Sequence, residues 1–402
     1  MPVSGARGLR RGQQGMSLVE LMVGLLVGLI VILAITGSVS ILNQQRKTTI
    51  SGGDAQENAM AALGLLDRAA RLAGTGLFHN GQLLCTSLNM YYNGTTIADN
   101  ASLMPVRITD GGATGPDSIT VTYASPLGGS AVLNVVDDMP NTSANFVVNH
   151  QGSLKVGDLA IIGVPGSGRP CTLFKATAFP PGGGNCNNVT TSCIDVQHNP
   201  GANGEYNPPN PNQAFTDAPK YGYTNAPPTT IGPAVISRLG TFVQETYGVL
   251  CNSLVSYSAT GGAPSCTASP QAFVNAIPQV GEIVQVQAQY GVTATAASDV
   301  VTNWVDATGA TWQAPSSTDI SRIKAIRVVV VARSREPART VVSNPCTNAQ
   351  NVVNTGPCSF QDAAAPVIDL SGVSVPAGYT WKNFRYRVYQ SVIPLRNVAW
   401  NY

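Results

Sequence analysis

The stretch GQQGMSLVELMVGLLVGLIVILAITGSVSILNQQR, Gly12 to Arg46, decides how the rest of the chain is read. From Leu21 to Leu42 it is almost wholly apolar, and no charge falls between Glu20 and Arg46. About 20 such residues, rising 1.5 Å each as a helix, cross the roughly 30 Å hydrocarbon layer of a bilayer. Arg7, Arg10 and Arg11 precede it with no acid among them, so the leader is expected to stay cytoplasmic and the remainder to be exported. Glu20 stands at the mouth of the apolar run, where an ionised carboxylate would meet lipid.

Three processing routes fit the apolar run. A secretory signal would be cut after it, with Ser38-Val39-Ser40 as a small-x-small site. A plain anchor would not be cut. A third kind of signal is cut before the run, which leaves the apolar helix as the mature N-terminus. Glu20 separates them. In the first two routes it is an unpaired charge in apolar surroundings, a burden of several kcal/mol. In the third, cleavage between Gly15 and Met16 creates an α-amino group four residues upstream, and amine and carboxylate can pair between neighbouring subunits.

The composition sets further bounds. Only 11% of residues are charged and the formal net charge is +2, which argues against nucleic acid as the main partner. Forty-one glycines and 27 prolines point to strands and loops. All eight cysteines (Cys85, Cys171, Cys186, Cys193, Cys251, Cys266, Cys346 and Cys358) follow the apolar run. Confinement to one side of a span implies disulfides in an oxidising compartment. The sequence neighbours Cys186/Cys193, Cys251/Cys266 and Cys346/Cys358 close the shortest loops, leaving Cys85 and Cys171 for a longer bridge. No C-x-x-C pair supports a zinc site.

Beyond the span, Ser51-Gly52-Gly53 is expected to interrupt the helix, as a flexible joint or a fixed kink, since each glycine costs about 1 kcal/mol relative to alanine. Asp54 to Glu57 restarts it. Ala59, Leu63, Leu66, Ala70, Ala73 and Leu77 then recur at helical spacing, a face meant for a β-sheet, with Asp67 and Arg71 as an i, i+4 pair. This amphipathic helix is placed at 46–78.

Past Phe78 the period becomes two. Strands are expected at Ser118–Tyr123, Ala131–Val136, Asn145–Val148, Leu159–Val164, Cys171–Ala176, Ile231–Leu239, Thr241–Val249 and Glu282–Tyr290. The strongest are Ile323–Arg333 and Phe384–Leu395. One long helix followed by strands predicts an α+β fold, the helix packed on an antiparallel sheet. The segment 199–233, with eight prolines, reads as a surface loop pinned by its tyrosines. The pattern does not say whether the region 79–402 forms one lobe or two.

The residues Gly15-Met16-Ser17-Leu18-Val19-Glu20 resemble the type IV prepilin cleavage motif. The resemblance implies that prepilin peptidase cuts after Gly15, that Met16 becomes the N-methylated first residue, and that Glu20 is the assembly glutamate. Residues 1–15 would be the leader and 16–45 the membrane and filament-core helix. Met16 stands where major pilins usually have Phe, and Gly37 where many have a helix-kinking proline.

Further pieces resemble PilW-type minor pilins: Lys155 to Leu159, Ile323 to Arg327 running on to Ser334, Tyr389 to Asn397 and, more weakly, Gln289 to Val292. The family implies a pilin-like fold and a role in initiating and forming the pilus, in a tip or priming complex that serves adhesion and twitching. The implied partners are other minor and major pilins, the peptidase, the inner-membrane assembly platform and a tip adhesin. The implied location is the bacterial inner membrane with a periplasmic domain, then the pilus. Relatives can carry an ion-binding acidic run after the Gln289 segment. Thr293 to Ala297 stands there instead, so no metal or cofactor is expected.

Two alternatives share parts of this pattern: a minor pseudopilin of a type II secretion system, and a membrane-anchored periplasmic binding or hydrolytic domain. For the second, no catalytic constellation is found. His79, His150 and His198 read as solvated loop residues. Ser167 lacks the flanking glycines of a nucleophile elbow, Gly111 to Gly115 lacks the end of a phosphate loop, and Asp137-Asp138 reads as a loop. The chain is therefore not expected to be an enzyme.

Overall fold

The structure is a computed structural model that describes residues 17–79, 82–112, 114–125, 132–137, 139, 141–165, 167–181, 193–200, 205–214, 234–360, 362 and 365–399. By contacts the chain divides into two units, residues 1–53 and 54–402.

One helix, Leu18–Leu72, belongs to both. It runs through Gly52-Gly53 without interruption, so the expected break is absent. Helical order imposed over many turns absorbs the roughly 1 kcal/mol each glycine costs. The helix also ends earlier than 78. Gly74 takes φ +80° and donates its N–H to Thr122 O (2.9 Å), a left-handed cap that only glycine enters without penalty. A Cβ there would lie 2.8 Å from the Phe78 ring.

Within the second unit the helix packs as its periodicity predicts. Ala59, Leu66, Ala70 and Ala73 are buried, together with Ala55, Ala62 and Ala69, while Leu63 is half-buried. Six of these seven buried residues are alanines, small enough to let the helix lie close to a sheet. Asp67 and Arg71 make the i, i+4 pair at 2.6 Å on the outer side.

Among the described residues, three sheets have four or more strands. The C-terminal sheet has the order Val301–Val305, Ile283–Thr293, Ile323–Arg333 and Tyr386–Pro394, all antiparallel. Its central strand, Ile323–Arg333, has the predicted bounds and is buried throughout. Ile326, Val328, Val330 and Ala332 join the core that contains the helix alanines. Val329 and Val331 point the other way and are covered by Ile368 and Leu370 of the long connection to the last strand. A five-stranded sheet, from Ile277–Gly281 to Val106–Thr109, shares the helix core.

A six-stranded sheet, its strands interleaved in sequence with those of the five-stranded one, includes Leu159–Gly163, Cys171–Lys175 and Val235–Leu239. It contains a parallel pair, Cys171–Lys175 beside Ser87–Tyr92, so the expectation of one antiparallel sheet is too simple. The strands between 87 and 109 and between 253 and 281 were not foreseen. Their apolar runs are short and broken by Asn, Gly and Pro.

By contacts, residues 54–402 group as one compact unit. Disulfides join Cys85 to Cys171, Cys251 to Cys266 and Cys346 to Cys358. Cys193 is also disulfide-bonded, and Cys186 lies outside the described residues. Most of the proline-rich segment lies outside them too. Its described part is held down by Asn207, which accepts Lys175 N–H at 3.0 Å and donates to Lys175 O at 2.8 Å, and by Tyr206, edge-on to Tyr92.

Two side chains stitch the five-stranded sheet to the C-terminal one. Tyr290 Oη accepts Ile108 N–H at 2.6 Å. Asp117 accepts the N–H groups of Gly111 (3.0 Å) and Ala288 (2.8 Å). Burial outweighs those two donors and pushes the Asp117 carboxyl up to about 7. An unfolded aspartyl titrates near 3.9, so between these values the folded chain keeps a proton that the unfolded chain releases. This contribution to stability is full below about pH 4 and disappears as pH rises through about 7. The urea midpoint of the parent should therefore fall, relative to that of Asp117→Asn, between pH 5 and pH 8. A constant difference between the two proteins would contradict the assignment.

Candidate functional site

The expected site begins at the N-terminus. Gly15 and Met16 lie outside the described residues; Glu20 does not. Ser17 precedes the first helical residue, and its Oγ accepts the Val19 N–H at 3.2 Å. Glu20 Oε2 accepts the Ser17 N–H at 3.3 Å. These two bonds satisfy donors that a helix start leaves open, in the manner of a capping box. The spacing Ser17-x-x-Glu20 is the sequence signature of such a start. A negative charge in the first turn also lies at the favourable end of the helix dipole.

Beyond Glu20, Leu18–Val39 is the helix among the described residues that is long and apolar enough to span a membrane, and none of it is buried against the protein. Its hydroxyls are satisfied internally. Thr36 Oγ1 donates to Ile32 O (2.9 Å) and Ser38 Oγ to Ala34 O (3.0 Å), so neither needs water in an apolar surrounding. Leu21, Leu25, Leu29 and Ile32 are all more than half exposed, a surface that can be covered only by lipid or by other helices.

The residues weighed as catalytic are placed otherwise. Ser167 Oγ donates to Val164 O (2.7 Å) and accepts Arg169 N–H (3.1 Å), closing a turn. Gly111 donates to Asp117. His198 corrects the sequence reading. It is buried, stacked on Phe146 at 4.7 Å, and its Nε2 meets Ala144 O at 2.9 Å. Burial holds its pKa below the ordinary value, so it serves as a neutral core ring. No cluster of metal-ligating side chains occurs among the described residues.

The most elaborate polar arrangement is on the central strand. Arg327 is 1% exposed, with Nε on Gln289 Oε1 (2.6 Å) and Nη1 on Asp362 Oδ2 (2.5 Å). Gln289 in turn donates to Asp306 (2.7 Å). The guanidinium lies 5.0 Å from the ring centres of both Trp304 and Phe360. Nη2 has no hydrogen-bond partner among the described residues. One cation therefore ties the edge strand Val301–Val305, the strand Ile283–Thr293 and the covering connection together.

Comparison with known proteins bears on both regions. Residues 10–36 match the prokaryotic N-terminal methylation motif, and residues 246–397 match the type IV pilus-assembly protein W family. No curated protein and no solved structure matches the chain. The longer match runs from the middle of Thr241–Leu250 to the C-terminal turn Arg396–Ala399, so it takes in the C-terminal sheet and the Arg327 arrangement. The six-stranded sheet lies outside it. The longer match is to a family of pilus-assembly proteins and the shorter to an N-terminal processing motif, and neither describes an enzyme.

Asp362→Asn leaves the buried Arg327 cation without its counter-charge and is expected to cost about 3 kcal/mol, the low end for a broken buried pair because Asp362 is half exposed. Arg327→Met leaves only a half-exposed carboxylate and should cost less. Chemical unfolding of both variants that ranked Arg327→Met as the more damaging would show that the packing and hydrogen bonds of Arg327, and not its charge pairing, hold the connection.

Proposed function

We propose that this PilW-like chain with a prepilin-type N-terminus is a minor pilin that helps to initiate and form the type IV pilus. The observation that carries the reading is one helix with two surroundings. Leu18–Val39 is bare and apolar, and residues from Ala55 onwards are buried on the chain's own sheets. A soluble enzyme or binding domain has no use for the bare half, whereas an assembling subunit exchanges lipid for neighbouring helices there.

In this reading prepilin peptidase cuts between Gly15 and Met16, and Met16 is N-methylated. The subunit then waits in the inner membrane with its β-rich unit in the periplasm. Assembly transfers the helix into a bundle of like helices, where Glu20 meets the amine of an adjoining subunit and fixes axial register. The bulk of the β-rich unit suits the filament tip or a priming complex better than a shaft crowded by lateral neighbours. Other pilins, the assembly platform and a tip adhesin are the partners that fit.

Glu20→Ala should be cleaved and methylated as the parent is, yet be recovered in sheared pili at a small fraction of the parental level. Mass spectrometry of the mature chain reads the first outcome, and immunoblotting of the pili reads the second. Parental recovery of Glu20→Ala in pili would remove the register role, and a mature chain still beginning at Met1 would remove the reading as a whole.

A further inference from the structure

A cavity of about 460 Å³ within residues 54–402 has no role in what precedes. Three parts of the chain meet around it. Phe78 and Leu84 come from the segment between the long helix and Ser87–Tyr92. Arg169 comes from the connection between Leu159–Gly163 and Cys171–Lys175. Ile320 belongs to a short helix, Ser317–Arg322, Lys324 to the start of the central strand, and Val398 to the C-terminal turn. Neither family match assigns the cavity, since Phe78, Leu84, Arg169 and Val398 lie outside both matched segments.

Its walls are held in place by the protein itself. Leu84 N–H donates to Leu77 O (2.9 Å) and Val398 N–H to Leu395 O (3.0 Å). The Cys85–Cys171 bridge ties the first wall to the strand Cys171–Lys175. Asn397, beside Val398, donates to Ala73 O (3.0 Å) and Thr75 Oγ1 (2.8 Å), which ties the last wall to the end of the helix. Preformed, mostly apolar hollows of roughly 300–1,000 Å³ with a few placed polar groups are the usual seats of small organic molecules.

The charge of the lining is one-sided. Arg169 and Lys324 are its charged residues, and no acid lines it. Lys324 is 3% exposed, and a charge that water reaches poorly attracts an anion more strongly than one at the surface does. Asp319, the acid nearest to Lys324 in the chain, is held by Arg322 Nη1 (3.2 Å) and Ser316 Oγ (2.6 Å). Thr86 and Ser317 also line the cavity, and neither hydroxyl has a hydrogen-bond partner among the described residues. The two cations need not be free of bonds within the protein, because a bonded guanidinium or ammonium keeps its charge and has further N–H groups to donate.

We propose that this cavity binds a small organic acid, with its carboxylate towards Arg169, Lys324 and the two hydroxyls and its apolar body against Phe78, Leu84, Ile320 and Val398. The inference rests neither on the pilus role nor on the membrane span. An ionised carboxylate offers about four acceptor sites on its two oxygens, enough for these donors together. Hydrogen bonds between ionised partners are the stronger kind, so the charge of the head decides the affinity and the apolar wall accepts many bodies. An acidic side chain of a neighbouring protein is the competing occupant.

The test titrates the full chain, methyl-labelled and held in nanodiscs of neutral lipid, with phenylbutyrate, phenylbutanamide and phenylbutylamine, which share one apolar body. The methyl resonances of Ile320 and Val398 should move saturably with the carboxylate, while those of Ile368, on the other side of the C-terminal sheet, stay in place. The amide should need at least about fivefold more probe for half-saturation, and the amine more still. Arg169→Gln, changed at an exposed position, and Lys324→Met should each weaken the carboxylate several-fold and leave the amide as it was. Parental Ile368 resonances show that a variant is folded, and if Lys324→Met fails that check Arg169→Gln alone decides. Equal half-saturation by carboxylate and amide, or parental binding of the carboxylate by folded Arg169→Gln, overturns the proposal. The absence of any saturable shift overturns it too, and leaves the acidic side chain of a neighbouring protein as the occupant.

Discussion

The burial of an alanine-rich helix face in the same core as the sheets is the constraint on which the rest depends. Ala55, Ala59, Ala62, Ala69, Ala70 and Ala73 bury almost no volume of their own. They share one buried core with Ile326, Val328 and Val330, and dense packing of that kind supplies the attraction in protein cores. A larger residue at any of these sites would lift the helix from the sheet and strain both. The same helix has no such partner over Leu18–Val39, where large residues replace alanines. The residue sizes along one helix thus record two destinations: its own sheet for the second half, other surroundings for the first.

Given that packing, the other side of the C-terminal sheet must also be covered, because the central strand is apolar on both faces. The chain does this with its own connection between the last two strands. Ile368 and Leu370 supply apolar cover. The Cys346–Cys358 bridge shortens the connection, and Arg327 holds it through Asp362 and Phe360. A buried cation is a poor source of net stability, since desolvation offsets much of its attraction. Its value here is positional: hydrogen bonds to Gln289 and Asp362 and two aromatic faces fix where the connection lies.

How much of this was legible follows from the range of each signal. The central strand is legible to the residue because six Ile and Val fall within eleven positions that hold no Gly or Pro. The helix face was read because its period persists for five turns. The strands near 87–109 and 253–281 are less legible because their apolar runs are short, although several form local hairpins: Ser87–Tyr92 pairs with Thr95–Ser102 across Asn93-Gly94, and Ser265–Ala268 with Gln271–Val274. His198 was taken for a solvated residue because nothing local announces that Phe146, more than 50 positions away, will stack on it. The helical glycines failed in the opposite sense. Propensity was given too much weight where the long helix decided.

At Glu20 the structure adds to the sequence argument without displacing it. The cap engages Oε2, through the Ser17 N–H at 3.3 Å, a long and weak bond. An ionised carboxylate has acceptor sites on both oxygens, so capping its own helix does not compete with receiving an ammonium from a neighbour. Capping also changes the energetics of waiting. A carboxylate that accepts a backbone N–H at the positive end of a helix is better tolerated in apolar surroundings than a bare one. In the assembly proposed above, the same side chain would be tolerated in the unassembled subunit and would still gain from a full positive charge on a neighbour, whereas an amide at this position could cap the helix but could not form that ion pair.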